Sequence, residues 1–363
     1  MTDYPYDMDI KQYIRQSYFF SLFRETGVWF DERSRFFKEA KARFMEDQPS
    51  HGSYHDYVKA FNKHRVTYSE YMNSYEFWRL SEVDRDEFIS TSEVQCVYRK
   101  IGDPAVRNIF HNKVSFLRTF DRFINRHWAL VRDLDLIEFK SMLSQFDCIA
   151  KPIDGTRGEG ITKIHAADVK DWPALFKRFY TDNILLEQCV QSCEEFSSFH
   201  SSSLNTIRVV TISNGNKFEV FGALFRMGAH GSVIDNTHAG GIYAPINVKT
   251  GEIDVDAIDA NNNHYEFHPD SHLRIRGFRI PYWERIVNAC REAALVIPNI
   301  HFAGWDVCLT TDYSVEIIEG NHAPDFDGGM QAPLKIGVKK RFQKTVKEII
   351  GKDPLQLISI WRY

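Results

Sequence analysis

The chain has 363 residues, 43% of them hydrophobic and 26% charged, with 45 Lys and Arg against 49 Asp and Glu for a net charge of −4. That is globular composition, of a length suited to about two to three domains, and it lacks the basic excess of a protein that neutralises nucleic-acid backbones. No run approaches the roughly 18 apolar residues of a membrane span, the polar and acidic Met1–Ile10 does not read as a signal peptide, and the six cysteines are scattered, so a cytoplasmic protein with no membrane span and no nucleic-acid partner is expected.

Residues 1–105 are aromatic and helical in period. Phe30, Phe37 and Phe44 recur seven apart, and Tyr68, Tyr71, Tyr75 and Trp78 recur at steps of three and four, which predicts amphipathic helices with a packed aromatic stripe. From Phe146 the texture changes to short apolar runs broken by Gly, Asn and Asp. Asp147–Ile153 reads as a strand, Ile161–Ile164 as its partner, and Asp154–Gly160 as the turn between them. Trp172–Tyr180 reads as a helix with Pro173 near its start. Strands follow at Asn183–Gln188, Thr206–Ser213 and Phe218–Arg226, the last two joined by a tight Asn214-Gly215 turn. Tyr282–Val296 is a predicted helix, Ala303–Thr310 and Ser314–Asn321 a hairpin around Thr311-Asp312, and Pro333–Ile350 a final basic helix. The order predicts an α+β fold with mostly antiparallel sheets. Strand–helix alternation of the Rossmann kind is missing, as is a P-loop.

Three constellations carry chemistry. In Lys151-Pro152-Ile153-Asp154-Gly155-Thr156-Arg157-Gly158-Glu159-Gly160, a strand lysine precedes three glycines whose N–H groups can close over phosphate; the same residues also suit a plain hairpin turn. Asp306, in Gly304-Trp305-Asp306-Val307, faces Glu319 and Asn321 of the predicted hairpin. Glu319 and Asn321 lie two apart on one strand face, and such an all-oxygen set suits magnesium, the other reading being a solvated polar face. Between them, Arg208 interrupts the apolar run Asn205–Val210, Arg226 ends the next strand, and Asp235–Gly241 contains Asn236, His238 and a Gly-Gly pair. An arginine inside an apolar strand faces an anion or a buried acid. Cys189 and Cys193, with His200 nearby, lack the second half of a zinc site.

Taken in order, Lys-Pro-x-x-Gly-x-x-Gly-x-Gly, Asn-Thr-x-Arg-Val and Gly-Trp-Asp…Glu-Gly-Asn resemble the ATP-grasp superfamily, and most closely the sugar-transfer-associated ATP-grasp proteins. The resemblance covers Asn112 to about Pro333, and the aromatic N-terminal part is similar to that subfamily's leader helices. It implies an ATP-grasp fold with two α+β lobes: a helical region at 1–105, a smaller lobe with the glycine-rich loop at 106–187, a C-terminal lobe with the magnesium site at 188–350, and a tail at 351–363. It implies ATP and magnesium, two ions, as cofactors. Lys113 and Lys151 would be the nucleotide lysines, with Gly155, Thr156, Arg157, Gly158, Glu159 and Gly160 over the phosphates. Glu187 would be the hinge acid, followed by Gln188, Cys189 and Val190 along the adenine, and Glu195 the ribose acid. Asp306, Glu319 and Asn321 would hold magnesium. Arg226, Asn236 and His238 resemble the substrate-side loop of the glutamate-ligase branch, and Arg208 belongs with them as a catalytic candidate. The N-terminal part departs from the best-known branches, which carry an α/β domain there.

A carboxylate is a poor electrophile, and ATP makes it reactive as an acyl phosphate before an amine attacks. The expected activity is therefore an ATP-dependent carboxylate–amine ligase of polysaccharide or secondary-metabolite biosynthesis, with a small-molecule or glycan-linked acid and an amine as partners. An ATP-grasp kinase acting on a hydroxyl and a non-catalytic nucleotide-binding scaffold stand as alternatives, and a homodimer is compatible with the sequence.

Overall fold

The computed structural model describes residues 37–153, 160–231, 240–325 and 327–359. Residues 37–47 are helical and bring Phe37 and Phe44 against an aromatic cluster with Tyr57, Phe61, Tyr71 and Tyr75 at its centre; Phe30 lies outside the described residues. Helix α1 (Tyr54–His64) starts at Ser53, whose hydroxyl accepts the Asp56 N–H at 3.1 Å.

The Tyr68–Trp78 run departs from the expected amphipathic helix. Glu70–Ser74 is a π-helical turn and Phe77–Arg79 a 3₁₀ turn, parted by Glu76 at φ 54°. The buried Glu70 carboxylate accepts the Thr67 N–H (2.6 Å) and the N–H and hydroxyl of Thr91 (both 2.8 Å). A buried carboxylate needs such donors; its exchange with Thr67 is a capping box that starts the helical run, and the left-handed Glu76 ends it. Tyr71 and Tyr75 are nonetheless buried, as the stripe predicts.

Helix α2 (Thr91–Ile101) opens on a reciprocal Ser90–Glu93 capping box, and α3 (Pro104–His111) and α4 (Lys113–Thr119) follow. The next segment builds a four-stranded sheet from β1 (Trp128–Leu130), β2 (Cys148–Pro152), β3 (Thr162–Ile164) and β4 (Ile184–Gln188), in the order β1-β4-β2-β3. Helices α5 (Leu136–Gln145) and α6 (Trp172–Thr181, with proline in its first turn) cover one face through Phe139, Leu143 and Phe179.

A larger sheet then runs β11-β10-β5-β6-β7-β8-β9, from β5 (Thr206–Ser213), β6 (Phe218–Met227), β7 (Ile242–Pro245), β8 (Ala257–Ile258), β9 (His264–Tyr265), β10 (Phe302–Leu309) and β11 (Val315–Asn321). Every strand pairing in both sheets is antiparallel among the described residues. The β5–β6 turn is held by the Asn214 side chain, which accepts the N–H groups of Asn216 (3.0 Å) and Lys217 (2.8 Å), with Gly215 at φ 86°. Helix α7 (Trp283–Ala294) lies on the sheet face formed by Ile207, Val209, Ala223, Phe225, Trp305 and Val307, and Phe110, Phe116 and Phe120 of the α3–α4 region pack on Trp305.

The expected single helix over Pro333–Ile350 is two: α8 (Asp327–Leu334) and α9 (Lys339–Ile350), separated by Lys335 at φ 51°. The left-handed residue and the Pro333 ring both oppose a continuous helix. A third helix, α10 (Pro354–Ser359), occupies part of the expected tail and sends Ile358 into the core that α2 and α9 share. That core covers Val210, Ile212, Phe221 and Phe302 of the larger sheet, so α2 packs directly on this sheet. In the seam, the fully buried Gln331 donates to Tyr75 OH (3.1 Å) and Ile89 C=O (2.8 Å), and its carbonyl accepts the N–H groups of Ile89 (3.1 Å) and Val338 (3.0 Å). Among the described residues, no helix is long and apolar enough to cross a membrane.

Candidate active site

Strand alternation splits β5, β6 and β10 between an apolar face under α7 and a second face that changes character along its length. One end of that second face is apolar, beneath α2 and α9; the other end is charged. Register places Asp306 opposite Arg208 on one side and opposite Glu319 on the other, with Gly304 opposite Asn321 and Arg226 opposite Thr206. Arg208, Arg226, Asp306, Glu319 and Asn321 therefore share a face, as the sequence spacing of Glu319 and Asn321 predicts.

Arg208 grips Asp306 with two nitrogens, its Nη2 donating to Oδ2 at 2.8 Å, and Arg226 Nη1 donates to the same oxygen at 2.9 Å. Burial acts to raise the Asp306 carboxyl, and the charges of Arg208 and then Arg226 override it and hold the group below the usual carboxylate range. Glu319 shifts the other way. Protein crowding, then the charge and hydrogen bond of Asp306, push its carboxyl up to about 7, while Arg208 and Lys151 pull it down. Glu319 is nonetheless exposed, so its carboxyl is crowded by protein on one side and open on the other. Gly304 leaves room for Arg208 beside Asp306: a Cβ there would lie 2.7 Å from Pro324 Cβ and 3.1 Å from Arg208 Cδ.

Glu319 is delivered by a bulge. Asp306 pairs with Glu319 but Val307 with Ile317, leaving Ile318 as the extra residue on β11. The Glu316 carboxylate, on the same strand, is buried and accepts Arg126 Nη1 at 2.5 Å and the Asn125 N–H at 2.8 Å. Arg126 Nε also donates to Glu187 at 2.6 Å, and Lys151 Nζ lies 2.8 Å from the other Glu187 oxygen. Burial acts to raise the Glu187 carboxyl, and the charges of Lys151 and Arg126 reverse this and hold it at about 2. The smaller sheet is thus joined to the edge of the larger one by the chain Lys151–Glu187–Arg126–Glu316.

Two groups of the expected residues come together: Lys151 with Glu187, and Arg208 with Arg226, Asp306, Glu319 and Asn321. Lys113 reaches the end of β2, where its Nζ donates to the carbonyls of Pro152 (2.9 Å) and Ile153 (3.3 Å). Gly160 stands at φ 73°, folded back over Pro152. The N–H groups of Gln188 and Cys189 donate to His127 (2.7 Å) and Asp147 (2.8 Å), and Val190 is half-buried after them. Glu195 stands apart, at the turn of the β10–β11 hairpin, accepting the Tyr313 hydroxyl at 3.0 Å. Gly155, Thr156, Arg157, Gly158 and Glu159, and likewise Asn236 and His238, lie outside the described residues. The sequence reading missed Arg126 and Glu316. Glu316 is a charge inside an apolar stretch, Val315-Glu316-Ile317-Ile318, the signal that singled out Arg208; Arg126, between Asn125 and His127, carries no such signal.

The donor set fits a hard cation. Asp306 and Glu319 lie opposite each other on β10 and β11, so that two carboxylates and the Asn321 amide present oxygens on one face. Asn321 Oδ1 accepts the Ala323 N–H at 2.9 Å and retains a second lone pair. No group of three or more His, Cys, Asp or Glu side chains suited to a metal occurs among the described residues, so the remaining ligands would be water and phosphate oxygens, as magnesium prefers.

Residues 173–347 match the family described as sugar-transfer associated ATP-grasp. No curated protein matches. Among solved structures, the chain is similar to the ATP-grasp ligase PsnB complexed with minimal precursor, Mg and ADP, at 13% identity and a TM-score of 0.40, over 64% of this chain and 56% of that one. It is similar to the ADP complex of purK, an N5-carboxyaminoimidazole ribonucleotide synthetase, at 13% identity and a TM-score of 0.39, over 66% and 53%. An L-amino acid ligase from Bacillus licheniformis gives 15% identity and a TM-score of 0.37, over 69% and 46%. The chain thus spans about half the length of these proteins. Over residues 173–347, just under half of its length, the chain matches the sugar-transfer associated ATP-grasp family.

Proposed function

We propose that this protein is an ATP-dependent carboxylate–amine ligase that works through an acyl phosphate. The observation that carries the reading is the charged end of the larger sheet, where two arginines, two opposed carboxylates and an amide share one face beside Lys151. In this reading a carboxylate oxygen of the acid attacks the γ-phosphorus of ATP and the bond to the β-phosphate oxygen breaks, releasing ADP. The amine nitrogen then attacks the acyl carbon, phosphate leaves with the bonding pair, and the nitrogen gives up a proton. Phosphoryl transfer needs position and charge neutralisation more than covalent help, and this set of residues supplies both.

Lys151 and the 154–160 loop hold the phosphates, and Glu187 with the strand after it holds the adenine. Asp306, Glu319 and Asn321 hold magnesium, which when bound offsets the negative charge of the β- and γ-phosphate oxygens. Arg226, one strand beyond Arg208, steadies the acid's carboxylate by a two-pronged hydrogen bond, and the resemblance assigns Asn236 and His238 to the same substrate. In this reading the acid is of carbohydrate or peptide type, used in polysaccharide or secondary-metabolite synthesis; the sugar-transfer association of the matched family supports the carbohydrate choice.

The test is ATP consumption over a panel of uronic acids, amino acids and short peptides, with hydroxylamine as the trapping amine. Acid-dependent release of ADP and phosphate with a hydroxamate product is expected. A stable phosphorylated alcohol would replace the ligase by a kinase, and no consumption across the panel, with ATP bound, would leave a nucleotide-binding scaffold.

A further inference from the structure

Arg126 belongs to no strand. It sits in the connection from α4 to β1, and that connection is clamped on both sides. The His127 N–H donates to the Gln188 side chain at 3.1 Å and the Asn125 side chain donates to the Val315 carbonyl at 3.2 Å. The Arg126 side chain is only 4% exposed. Besides Glu187 and Glu316, it donates from Nη1 to the Ile317 carbonyl and from Nη2 to the Ile318 carbonyl, both at 2.9 Å. A guanidinium has five N–H donors in a fixed plane, and four of them are used here.

Two of these contacts reach the bulge itself. Ile318 is the extra residue that turns Glu319 toward Asp306, and the carbonyls held by Arg126 are those of Ile318 and the residue before it. A third contact supports Lys151. Glu187 has two cationic partners, and Lys151 is the more exposed of them, 18% against 4% for Arg126. When Lys151 turns to a phosphate, Arg126 keeps the buried Glu187 carboxylate paired, so the lysine leaves no orphaned charge behind.

We infer that Arg126 is a positioning residue that sets Lys151 and Glu319 together, so that the nucleotide and its metal are bound as a unit. This rests on the proposed reading of the two residues. A lysine at 126 would keep the charge, but its three donors radiate from one atom and cannot span two carboxylates and two carbonyls.

The test compares the wild type with Arg126→Lys and with the charge-balanced pair Arg126→Met, Glu316→Gln. Binding of AMPPNP is followed by calorimetry over a range of Mg²⁺, alongside thermal melting. Both variants should melt cooperatively, bind AMPPNP at least about tenfold more weakly, and need several-fold more Mg²⁺ for half-maximal binding. A purely structural arginine would lower the melting temperature and leave the Mg²⁺ dependence where it was. An unchanged Mg²⁺ dependence in a folded variant overturns the inference, as does loss of cooperative melting in both variants, which would make Arg126 a strut of the fold alone. A wild-type chain that binds no AMPPNP with Mg²⁺ overturns the proposed function itself and this inference with it, whereas wild-type binding with unchanged variants overturns only this inference.

Discussion

Replacing Lys151 with methionine separates two roles of one ammonium group. In the protein as folded it lies 2.8 Å from the buried Glu187 carboxylate, which Arg126 also holds at 2.6 Å. Removing Lys151 leaves Glu187 with one cation instead of two, so the loss of stability should be about 1–3 kcal/mol, short of the ~3–5 kcal/mol that follows when a buried charge is left unpaired. At about 2.1 cal/mol/K of unfolding entropy per residue, a chain of this size would lose roughly 1–4 °C in Tm. The nucleotide should suffer more. A lysine paired with phosphate is a charge-assisted hydrogen bond of about 1.5–3 kcal/mol, so Kd for AMPPNP should rise roughly 10- to 150-fold. Calorimetric titration with AMPPNP and with adenosine, beside thermal melting of the free protein, reads both effects. Adenosine, which has no phosphate, should bind equally to both proteins. Wild-type affinity for AMPPNP in the variant, or equal losses for both ligands, would refute the assignment of Lys151 to phosphate.

Glu319→Gln keeps the shape of the side chain and removes its charge; acid-dependent turnover should fall by at least about a hundredfold with little change in melting, and full activity at ordinary Mg²⁺ would remove Glu319 from the metal site. Gly304→Ala places a Cβ 2.7 Å from Pro324 and 3.1 Å from Arg208; Tm should drop by a degree or two on the order of about 1 kcal/mol, with a larger proportional loss of turnover as Arg208 is displaced from Asp306. Unaltered kinetics would show that Pro324 alone gives way. Glu187 links stability to pH: its folded carboxyl, at about 2, lies below the ordinary value of 4.5, so its contribution is complete above pH 4.5 and is lost as pH falls toward 2. Urea midpoints measured across that window should fall less steeply for Glu187→Gln, and parallel curves would mean that other carboxylates govern the acid limb.

Seven of the eleven strands among the described residues were legible, because apolar runs with Asn, Gly and Asp punctuation leave few alternatives; the short strands β1, β7, β8 and β9 give too little pattern to be read. Thr206–Ser213 and the hairpin around Thr311-Asp312 appear within a residue or so of their expected bounds. Arg208 and Asp306 could be read as partners in kind, since a charge in an apolar strand needs a counterpart, but only the register shows that they face each other. Two helical predictions failed at left-handed residues. The Tyr68–Trp78 periodicity is real, and a Thr67–Glu70 capping box starts the helical run, yet the left-handed backbone of Glu76 breaks it before Trp78. The Pro333–Ile350 pattern is broken at Lys335, whose left-handed backbone the sequence does not announce. Arg126 escaped because its partners lie 61 and 190 residues away. The bulge at Ile318 escaped because an inserted residue in a strand leaves its period of two unchanged on either side.

The single amide of Gln331 has a bearing on how this protein could have been assembled in evolution. Its two ends satisfy Ile89 on both backbone groups, Tyr75 on its hydroxyl and Val338 on its N–H. A grasp lobe acquired as an exchangeable cassette would meet its neighbours across a wet, replaceable boundary. Here Gln331 is fully buried and both ends of its amide are matched across the joint, so a foreign leader segment would leave an unmatched donor and acceptor buried there. The aromatic leader and the helices after β11 are thus bound to change in concert, and gene fusions that swap one without the other should be selected against on folding alone, before any effect on catalysis is felt.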